Sequence, residues 1–228
     1  MKKLIIAITS AFMLFATSAM SMDLRPAVGI SGNIGVYAAT GTEDNYNRTG
    51  TAIDETTKEH GAFATEFGSV FVELGLNDAI SIGLDYVPQT LETPTNVSND
   101  GGTTATKPDG STANENTVKA HFNELTTVYA KLNLPLGGTY LKVGFSSVEV
   151  ESRESMSSGN SYGNDDSSGY TVGIGYDHEV ADGFSIRAEI TGTDFSDVKT
   201  DNGQTNKTEI RVEDMIGARG TISLVKSF

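Results

Sequence analysis

Residues 169–191 read GYTVGIGYDHEVADGFSIRAEIT and contain the pattern that decides the fold. Large apolar residues occupy every second position from Tyr170 to Tyr176, and threonine or glycine lies between them. After the turn residues Ala181-Asp182-Gly183 the same alternation resumes. A period of two predicts β-strands, because successive side chains of a strand point to opposite faces. The stretch therefore predicts a tight β-hairpin with one apolar and one polar face.

The same alternation, bounded by Gly, Asn, Asp or Pro, recurs along the chain and predicts eight strands. The fourth and eighth are long, and we expect both to be irregular. Gly217 and Gly220 could mark a bulge or a close backbone approach in the last one. The predicted strands are Ala27–Thr40, Ala62–Leu76, Ala79–Gln89, Val118–Leu136, Thr139–Glu151, Gly169–Val180, Phe184–Phe195 and Ile210–Phe228.

The connections between the predicted strands alternate in length. Tight turns are predicted at residues 76–79, 134–138 and 180–183, where Asn, Asp, Gly and Pro suit the backbone of a turn. Long loops are predicted at residues 41–61, 92–117, 152–168 and 196–209. All tight turns then lie at one end of the sheet and all long loops at the other. This asymmetry is typical of transmembrane β-barrels, which have short periplasmic turns and long external loops.

The two faces of the predicted strands differ in charge. One face is almost entirely apolar, as expected for a surface that meets lipid, whereas the other carries balanced charges. Balanced charge suits an enclosed space, because an unpaired buried ion is costly. A water-soluble β-sandwich would leave the loop asymmetry unexplained. We predict a lumen charge network of four acids and four bases: Glu73, Asp85, Asp177, Glu189, Lys131, Lys142, Arg187 and Arg219.

The N-terminus predicts a secretory signal over residues 1–21. Lys2 and Lys3 precede the apolar run Leu4–Phe15, and Ala19-Met20-Ser21 forms a small-x-small cleavage site. The barrel domain is predicted over residues 22–228. No later run is apolar for 18 residues, which argues against helical membrane spans. The chain has no Cys, which excludes disulfides and thiolate sites, and its net charge of -14 argues against a nucleic acid partner.

The C-terminus resembles the assembly signal of bacterial outer-membrane barrels. Residues 220–228 read GTISLVKSF, in which Ile222, Leu224 and Phe228 fit an alternating apolar pattern that ends in Phe. Lys226 departs from this pattern, although a Lys can snorkel at the membrane rim. With the signal and the eight strands, the chain resembles the eight-stranded outer-membrane barrels of the outer membrane protein A and opacity types. Residues 22–26 (MDLRP) and 217–220 (GARG) look like those of small SAR11-type alphaproteobacterial barrels.

This resemblance implies an all-β, antiparallel, up-and-down transmembrane barrel in the bacterial outer membrane. It also implies contact with outer-membrane lipid and recognition by the barrel-assembly machinery through the last strand. An eight-stranded barrel has an interior just wide enough to be filled by side chains. We therefore expect the charge network to plug the lumen and the protein to have a structural or surface-interaction role. The alternative is a narrow porin-like channel for ions or small solutes.

An outer-membrane enzyme is a third hypothesis. It would require a His beside a Ser nucleophile or paired acids, and the pairs His121 with Glu124 and His60 with Glu59 do not rise above random composition. The acidic loops offer oxygen ligands for Ca²⁺ or Mg²⁺, but without the spacing of an EF-hand. We assign no catalytic, metal or cofactor residue, and the sequence leaves any external loop ligand open.

Overall fold

A computed structural model describes residues 24–47, 49–99, 115–155, 162–203 and 207–228, so the predicted signal at residues 1–21 lies outside it. No helix in these ranges is long and apolar enough to cross a membrane. The described residues form eleven strands in one antiparallel sheet. They are β1 (Arg25–Tyr46), β2 (Ile53–Gly75), β3 (Ile80–Tyr86), β4 (Leu91–Glu92), β5 (Asn96–Asn99), β6 (Glu115–Asn133), β7 (Thr139–Ser155), β8 (Asp165–Ala181), β9 (Phe184–Phe195), β10 (Val198–Asp201) and β11 (Thr208–Ser227).

Eight long strands close into a barrel in the order β1-β2-β3-β6-β7-β8-β9-β11, because β1 pairs with both β2 and β11. The short strands β4 and β5 pair with β6, and β10 pairs with β11. We can follow directly paired residues from one strand to the next, starting at Val72 of β2. After one passage around the wall this row returns to β2 at Ala62 and not at Val72, so its two ends are offset along the strand. Such an offset tilts the strands by about 35–45° from the barrel axis. The predicted eight-stranded barrel is confirmed.

The three tight turns lie at one end of the barrel, as predicted. In the first, the Asn77 side-chain oxygen accepts hydrogen bonds from the backbone N–H groups of Ala79 (2.9 Å) and Ile80 (2.8 Å). In the third, Gly183 has a φ of 67°, which glycine adopts without steric cost. The residues in these turns thus permit the tight chain reversals at this end of the barrel.

At the opposite end the strands are longer than predicted. β1 continues to Tyr46 and β2 begins at Ile53, so the predicted loop at residues 41–61 is mostly strand. The predicted loop at residues 92–117 contains β5, and that at 196–209 contains β10. The sequence pattern did not predict these extensions, because they lack an alternating apolar face. A strand beyond the membrane has no lipid to face, so its residues can be polar on both sides.

Both long strands are irregular, as expected, but the bulge of the last strand lies elsewhere than predicted. In β6 the register shifts between Asn123 and Thr126, and Glu124 has a φ of 58°. In β11 the shift lies opposite Ala38 and Thr40, where Asp214 has a φ of 53°. Gly217 instead allows the close approach of the Tyr37 ring, whose Cδ1 would lie 2.8 Å from an added Cβ. Gly220 has open space around it.

Apolar side chains cover the outside of the barrel and charged ones lie inside. Ile82, Leu132 and Val172 are 36, 45 and 61% exposed, whereas Glu73 and Arg187 are 5 and 4% exposed. This is the inverse of a water-soluble barrel and the arrangement of a membrane one. Two exposed carboxylates interrupt the outer surface of the described strands: Glu66 of β2 pairs with the exposed Ile34 of β1, and Asp194 of β9 pairs with the exposed Tyr170 of β8.

Candidate functional site

The structure places all eight residues of the lumen charge network on the inner side of the wall. They come from seven strands: β2, β3, β6, β7, β8, β9 and β11. Asp177 is the most accessible, with a side chain that is 23% exposed. The other seven are 4–8% exposed: Glu73, Asp85, Lys131, Lys142, Arg187, Glu189 and Arg219.

Four of these residues form one connected cluster across the lumen. Arg187 donates hydrogen bonds from Nη1 to Glu73 Oε2 (2.9 Å) and from Nη2 to Asp177 Oδ2 (2.8 Å). Lys131 Nζ lies 2.6 Å from Glu73 Oε1 and 3.3 Å from Asp177 Oδ2. Each cation therefore contacts both carboxylates, and each carboxylate contacts both cations. Two acids and two bases give the cluster no net charge.

A second group joins Lys142 to Glu189. Lys142 Nζ lies 2.8 Å from Glu189 Oε1, and the Tyr140 hydroxyl donates to Glu189 Oε2 at 2.7 Å. Lys142 Nζ also lies 4.1 Å from the centre of the Tyr129 ring, and the Tyr129 hydroxyl donates to Glu73 Oε2 at 3.1 Å. Tyr129 thus links the second group to the four-residue cluster through a cation–π contact and a hydrogen bond.

A third group is built around Asp85. Arg219 Nη1 donates to Asp85 Oδ1 at 3.0 Å, and the Ser69 hydroxyl donates to Asp85 Oδ2 at 3.0 Å. Asn33 Nδ2 in turn donates to the Ser69 hydroxyl at 3.2 Å, and the Thr221 hydroxyl donates to Asn33 Oδ1 at 2.7 Å. The charged pair is therefore held by a chain of neutral polar side chains on β1, β2 and β11.

Two lumen tyrosines were not among the predicted site residues. The Tyr129 ring lies against Gly83 of β3, and the Tyr140 ring lies against Gly175 of β8, so closely that a Cβ at either glycine would overlap the ring. Glycine on the inner face therefore provides room for a ring to cross to the neighbouring strand. The sequence contained this signal, since glycines alternate with apolar residues in β3 and β8.

The comparisons with known proteins agree with this architecture. Residues 7–212 match the model of the outer membrane protein beta-barrel domain family. The chain belongs to this family. It is thus a β-barrel protein of the bacterial outer membrane, as predicted, whereas the narrower likeness to SAR11-type barrels stays a prediction. No curated protein matches the chain.

Solved outer-membrane barrels are similar to the chain in fold. The outer membrane protein OprG from Pseudomonas aeruginosa is 12% identical with a TM-score of 0.54, and the match covers 89% of this chain and 95% of that one. The outer membrane protease OmpT from Escherichia coli is 11% identical with a TM-score of 0.48, and the match covers 93% and 99% of the two chains. At 12% identity the likeness to OprG concerns the fold alone.

This outer-membrane barrel also has an apolar layer on the loop side of its charged lumen. Five buried residues form it: Phe67, Val87, Leu91, Leu125 and Val148. They come from β2, β4, β6, β7 and the segment after β3. Their positions along the strands place them farther from the tight turns than Glu73 or Asp85. The charged groups of the lumen thus lie toward the periplasmic end with the apolar layer above them, and buried polar residues such as Asp44 and Glu209 recur beyond that layer.

A further charged cluster lies on the external extensions of the barrel. Glu209 of β11 accepts contacts from Lys199 Nζ (2.7 Å) and Lys207 Nζ (2.8 Å), and Arg211 Nη2 lies 2.7 Å from Asp44 Oδ2. Hydrogen bonds from Lys199 and Lys207 lower the pKa of the Glu209 carboxyl below its usual value. The same contact with Glu209 raises the pKa of Lys207. These pairs connect β1, β10 and β11 outside the membrane.

The histidines considered for an enzyme site have other neighbours than those predicted. His121 Nε2 lies 3.7 Å from Glu92 Oε1 and its Nδ1 lies 4.0 Å from Glu151 Oε2, so Glu124 is not its partner. The hydroxyl of Thr40 and Nδ1 of His60 are hydrogen-bonded at 2.9 Å. Within the described ranges, no group of three or more His, Asp or Glu residues is placed to hold a metal ion.

Proposed function

We propose that this protein is a non-enzymatic outer-membrane barrel whose lumen is closed to ions, with a structural or surface-interaction role. The single observation that carries the proposal is the four-residue cluster of Glu73, Lys131, Asp177 and Arg187. Its members come from β2, β6, β8 and β9, and β2 and β8 are four strands apart in a ring of eight. The cluster therefore bridges opposite walls of the lumen with direct ion pairs.

The energetics of buried charge favour a closed state of this layer. A buried ion pair is stable only while its partners are paired, and removing one partner costs about 3–5 kcal/mol. Opening a water-filled path would require Arg187 and Lys131 to leave both carboxylates, Glu73 and Asp177. Since every member has two charged partners, no single side-chain rotation opens the layer without breaking several contacts.

The outer surface supports the partners that the sequence predicts. The apolar exterior suits outer-membrane lipid. The predicted assembly signal is exposed on the last strand, with Ile222, Leu224 and Phe228 at 61, 50 and 72% exposure. We propose that the barrel-assembly machinery recognises these residues of the last strand. The polar extensions of β1 and β2, in which residues 53–62 are exposed, are the surface that we propose contacts an external partner.

Electrical recording on the refolded protein in planar lipid bilayers tests the closed lumen. The wild-type barrel is expected to give no stable conductance. Arg187→Ala, which leaves Glu73 with a single cationic partner, is expected to give frequent ion-conducting openings, whereas Arg25→Ala at the exposed periplasmic rim is expected to behave as wild type.

The opposite outcome supports the porin-like alternative. A steady conductance of the wild-type protein would overturn the closed lumen. In that case Glu73→Ala or Lys142→Ala should change the ion selectivity of the channel without lowering the stability of the protein. The ion selectivity of Lys131→Ala and Arg187→Ala is measured in the same way. A channel lined by these cations would lose its preference for anions when they are removed.

A further inference from the structure

The lumen contains a cavity on the external side of the apolar layer, with a volume of about 570 Å³. Its lining comes from seven strands, β1, β2, β4, β6, β7, β9 and β11, so the cavity surrounds the barrel axis. Leu125 and Val148 belong both to this lining and to the apolar layer, which therefore forms the floor. The volume is within the range of ligand pockets, about 300–1,000 Å³. Because the floor and the lumen charge network lie on the periplasmic side, a ligand enters from the external end.

Four aromatic side chains line the cavity: Tyr37 of β1, Phe63 of β2, Phe122 of β6 and Phe195 of β9. The Tyr37 and Phe63 rings stack with their centres 5.4 Å apart, and the Phe63 and Phe122 rings stack at 5.8 Å. The face of an aromatic ring carries partial negative charge and attracts a cation that lies within about 6 Å of its centre. Several rings around one space are the usual way in which proteins bind quaternary ammonium groups.

The lining carries negative charge. Among the described residues that border the cavity, Glu59 of β2 is the only Asp, Glu, Lys or Arg. Glu59 is on the same side of β2 as Phe63, and Gly61, the residue between them on that side, leaves the space from the ring to the carboxylate open. His60 also borders the cavity, but its Nδ1 is hydrogen-bonded to the Thr40 hydroxyl at 2.9 Å. A cation bound among the rings therefore has an acid beside it.

Farther out, the lumen side of the wall carries two more acids. Successive residues of a strand point to opposite sides, and directly paired residues of neighbouring strands point to the same side. Asp165 of β8 pairs with Val150, which lines the cavity. Glu43 of β1 pairs with Thr57, which is two residues from Glu59 in β2 and so points to the same side. Both carboxylates therefore face the external mouth of the cavity.

The basic residues of the external extensions lie on the other side of the wall. Lys58 of β2 is an even number of residues from Val70 and Val72, which are exposed on the lipid-facing surface, and so it points outward. The other described Lys and Arg residues beyond the apolar layer share this outward side: Lys119, Arg153, Lys199, Arg211 and, through its contact with Glu209, Lys207. The field at the mouth of the cavity therefore attracts cations and disfavours anions.

We propose that the external half of the lumen is a binding site for an organic cation of the quaternary ammonium class, taken from the external medium. Its charged group lies among the rings of Tyr37, Phe63 and Phe122, and its apolar groups contact the floor. The Glu59 carboxylate balances the charge from the external side. A neutral molecule of the same shape gains the apolar contacts but lacks the attraction to the ring faces and the carboxylate. The site does not depend on whether the lumen charge network below it is closed to ions.

Isothermal titration calorimetry tests the site with three ligands of similar shape and different charge. The protein is refolded in a non-ionic maltoside detergent, and the heats measured with protein-free micelles are subtracted. Phenyltrimethylammonium is cationic, 2-phenylpropan-2-ol is neutral and benzenesulfonate is anionic. We expect phenyltrimethylammonium to bind about tenfold more tightly than the alcohol, and benzenesulfonate to give no binding.

Three variants locate the site. Glu59→Gln removes the acid of the lining, and Glu66→Gln removes an exposed carboxylate on the outward side of the same strand. Glu59→Gln is expected to weaken binding of the cation about fivefold and to leave that of the alcohol unchanged, whereas Glu66→Gln changes neither. Phe63→Leu is expected to weaken binding of the cation more than that of the alcohol, because leucine is apolar but has no ring face. Mobility on unheated gels shows that each variant is folded.

Three results would overturn the proposal. The first is that phenyltrimethylammonium does not bind. The second is that the alcohol or the sulfonate binds as tightly as the cation, which would make the cavity a neutral or an anion site. The third is that Glu59→Gln and Glu66→Gln have equal effects on the affinity for the cation, which would place the bound cation outside the lumen.

Discussion

Replacing Glu73 by Gln tests the central contact of the lumen charge network. The substitution keeps the size of the side chain and removes its charge. Glu73 accepts from Arg187 Nη1 at 2.9 Å and from the Tyr129 hydroxyl at 3.1 Å, and lies 2.6 Å from Lys131 Nζ. In Glu73→Gln, both cations depend on Asp177 alone, and the amide N–H₂ group faces donors rather than acceptors.

The magnitude follows from burial. Glu73, Lys131 and Arg187 are 4–6% exposed, so water cannot solvate the cations that lose a partner. Breaking a buried pair by removing one partner costs about 3–5 kcal/mol. Since the amide oxygen can still accept one hydrogen bond, we expect the free energy of unfolding to fall by about 3 kcal/mol, the lower end of that range.

Urea unfolding of the protein refolded in lipid vesicles, followed by gel mobility, measures this loss. The matched control is Arg25→Gln, which breaks the exposed pair of Arg25 and Asp78 and should cost less than about 1 kcal/mol. Glu73→Leu combined with Arg187→Met leaves Lys131 and Asp177 balanced and should recover most of the stability. A cost for Glu73→Gln no larger than that of Arg25→Gln would refute a buried, mutually dependent network.

Two further predictions concern the glycine positions and the external charges. Gly175→Ala should displace the Tyr140 ring from its 2.7 Å hydrogen bond with Glu189 and cost about 1–3 kcal/mol in the same unfolding assay, whereas Gly32→Ala, with open space around its Cβ, should stay within about 0.5 kcal/mol. The pKa of Glu209 is lowered in the folded protein, so its contribution is present above the ordinary value of 4.5 and is lost as the pH falls through the lower, folded pKa. The hydrogen-exchange protection of residues 198–201, taken relative to the intrinsic exchange rate at each pH, should therefore fall below about pH 4.5 in the wild type but not in Glu209→Gln, and identical pH profiles would contradict the role of this carboxylate.

The alternation of the sequence was sufficient to predict which way most side chains point. It placed all eight members of the charge network on the inner face because strand parity is fixed once the turns fix the register. The alternation alone does not show which inward-facing side chains contact one another. Glu73 and Arg187 are 114 residues apart, and their contact depends on the curvature and tilt of the closed wall.

The external half of the barrel was harder to predict. Residues 53–61 read IDETTKEHG, in which no apolar face alternates with a polar one, yet they form part of β2. Pairing with β1 along the whole of this stretch stabilises the extension, and pairing is a tertiary property that a single-sequence pattern does not contain. The exposed carboxylate of Glu66 likewise departs from the almost entirely apolar outer face that the alternation predicts.

The predicted third strand, Ala79–Gln89, illustrates the opposite error, in which a sequence signal was present and outweighed. It contains Pro88, which argues against a paired central strand at that position. The structure ends β3 at Tyr86, and the chain leaves β2 at that point. In a closed barrel each strand needs a neighbour on both edges, so one proline removes pairing from both the strand that carries it and the strand that it would have met. The lumen charge network and the stretch of β2 that does not pair with β3 therefore follow the same rule. Every buried polar group needs a partner, and where Pro88 cannot donate a backbone N–H to β2, side chains such as that of Gln89 or water must supply the hydrogen bonds.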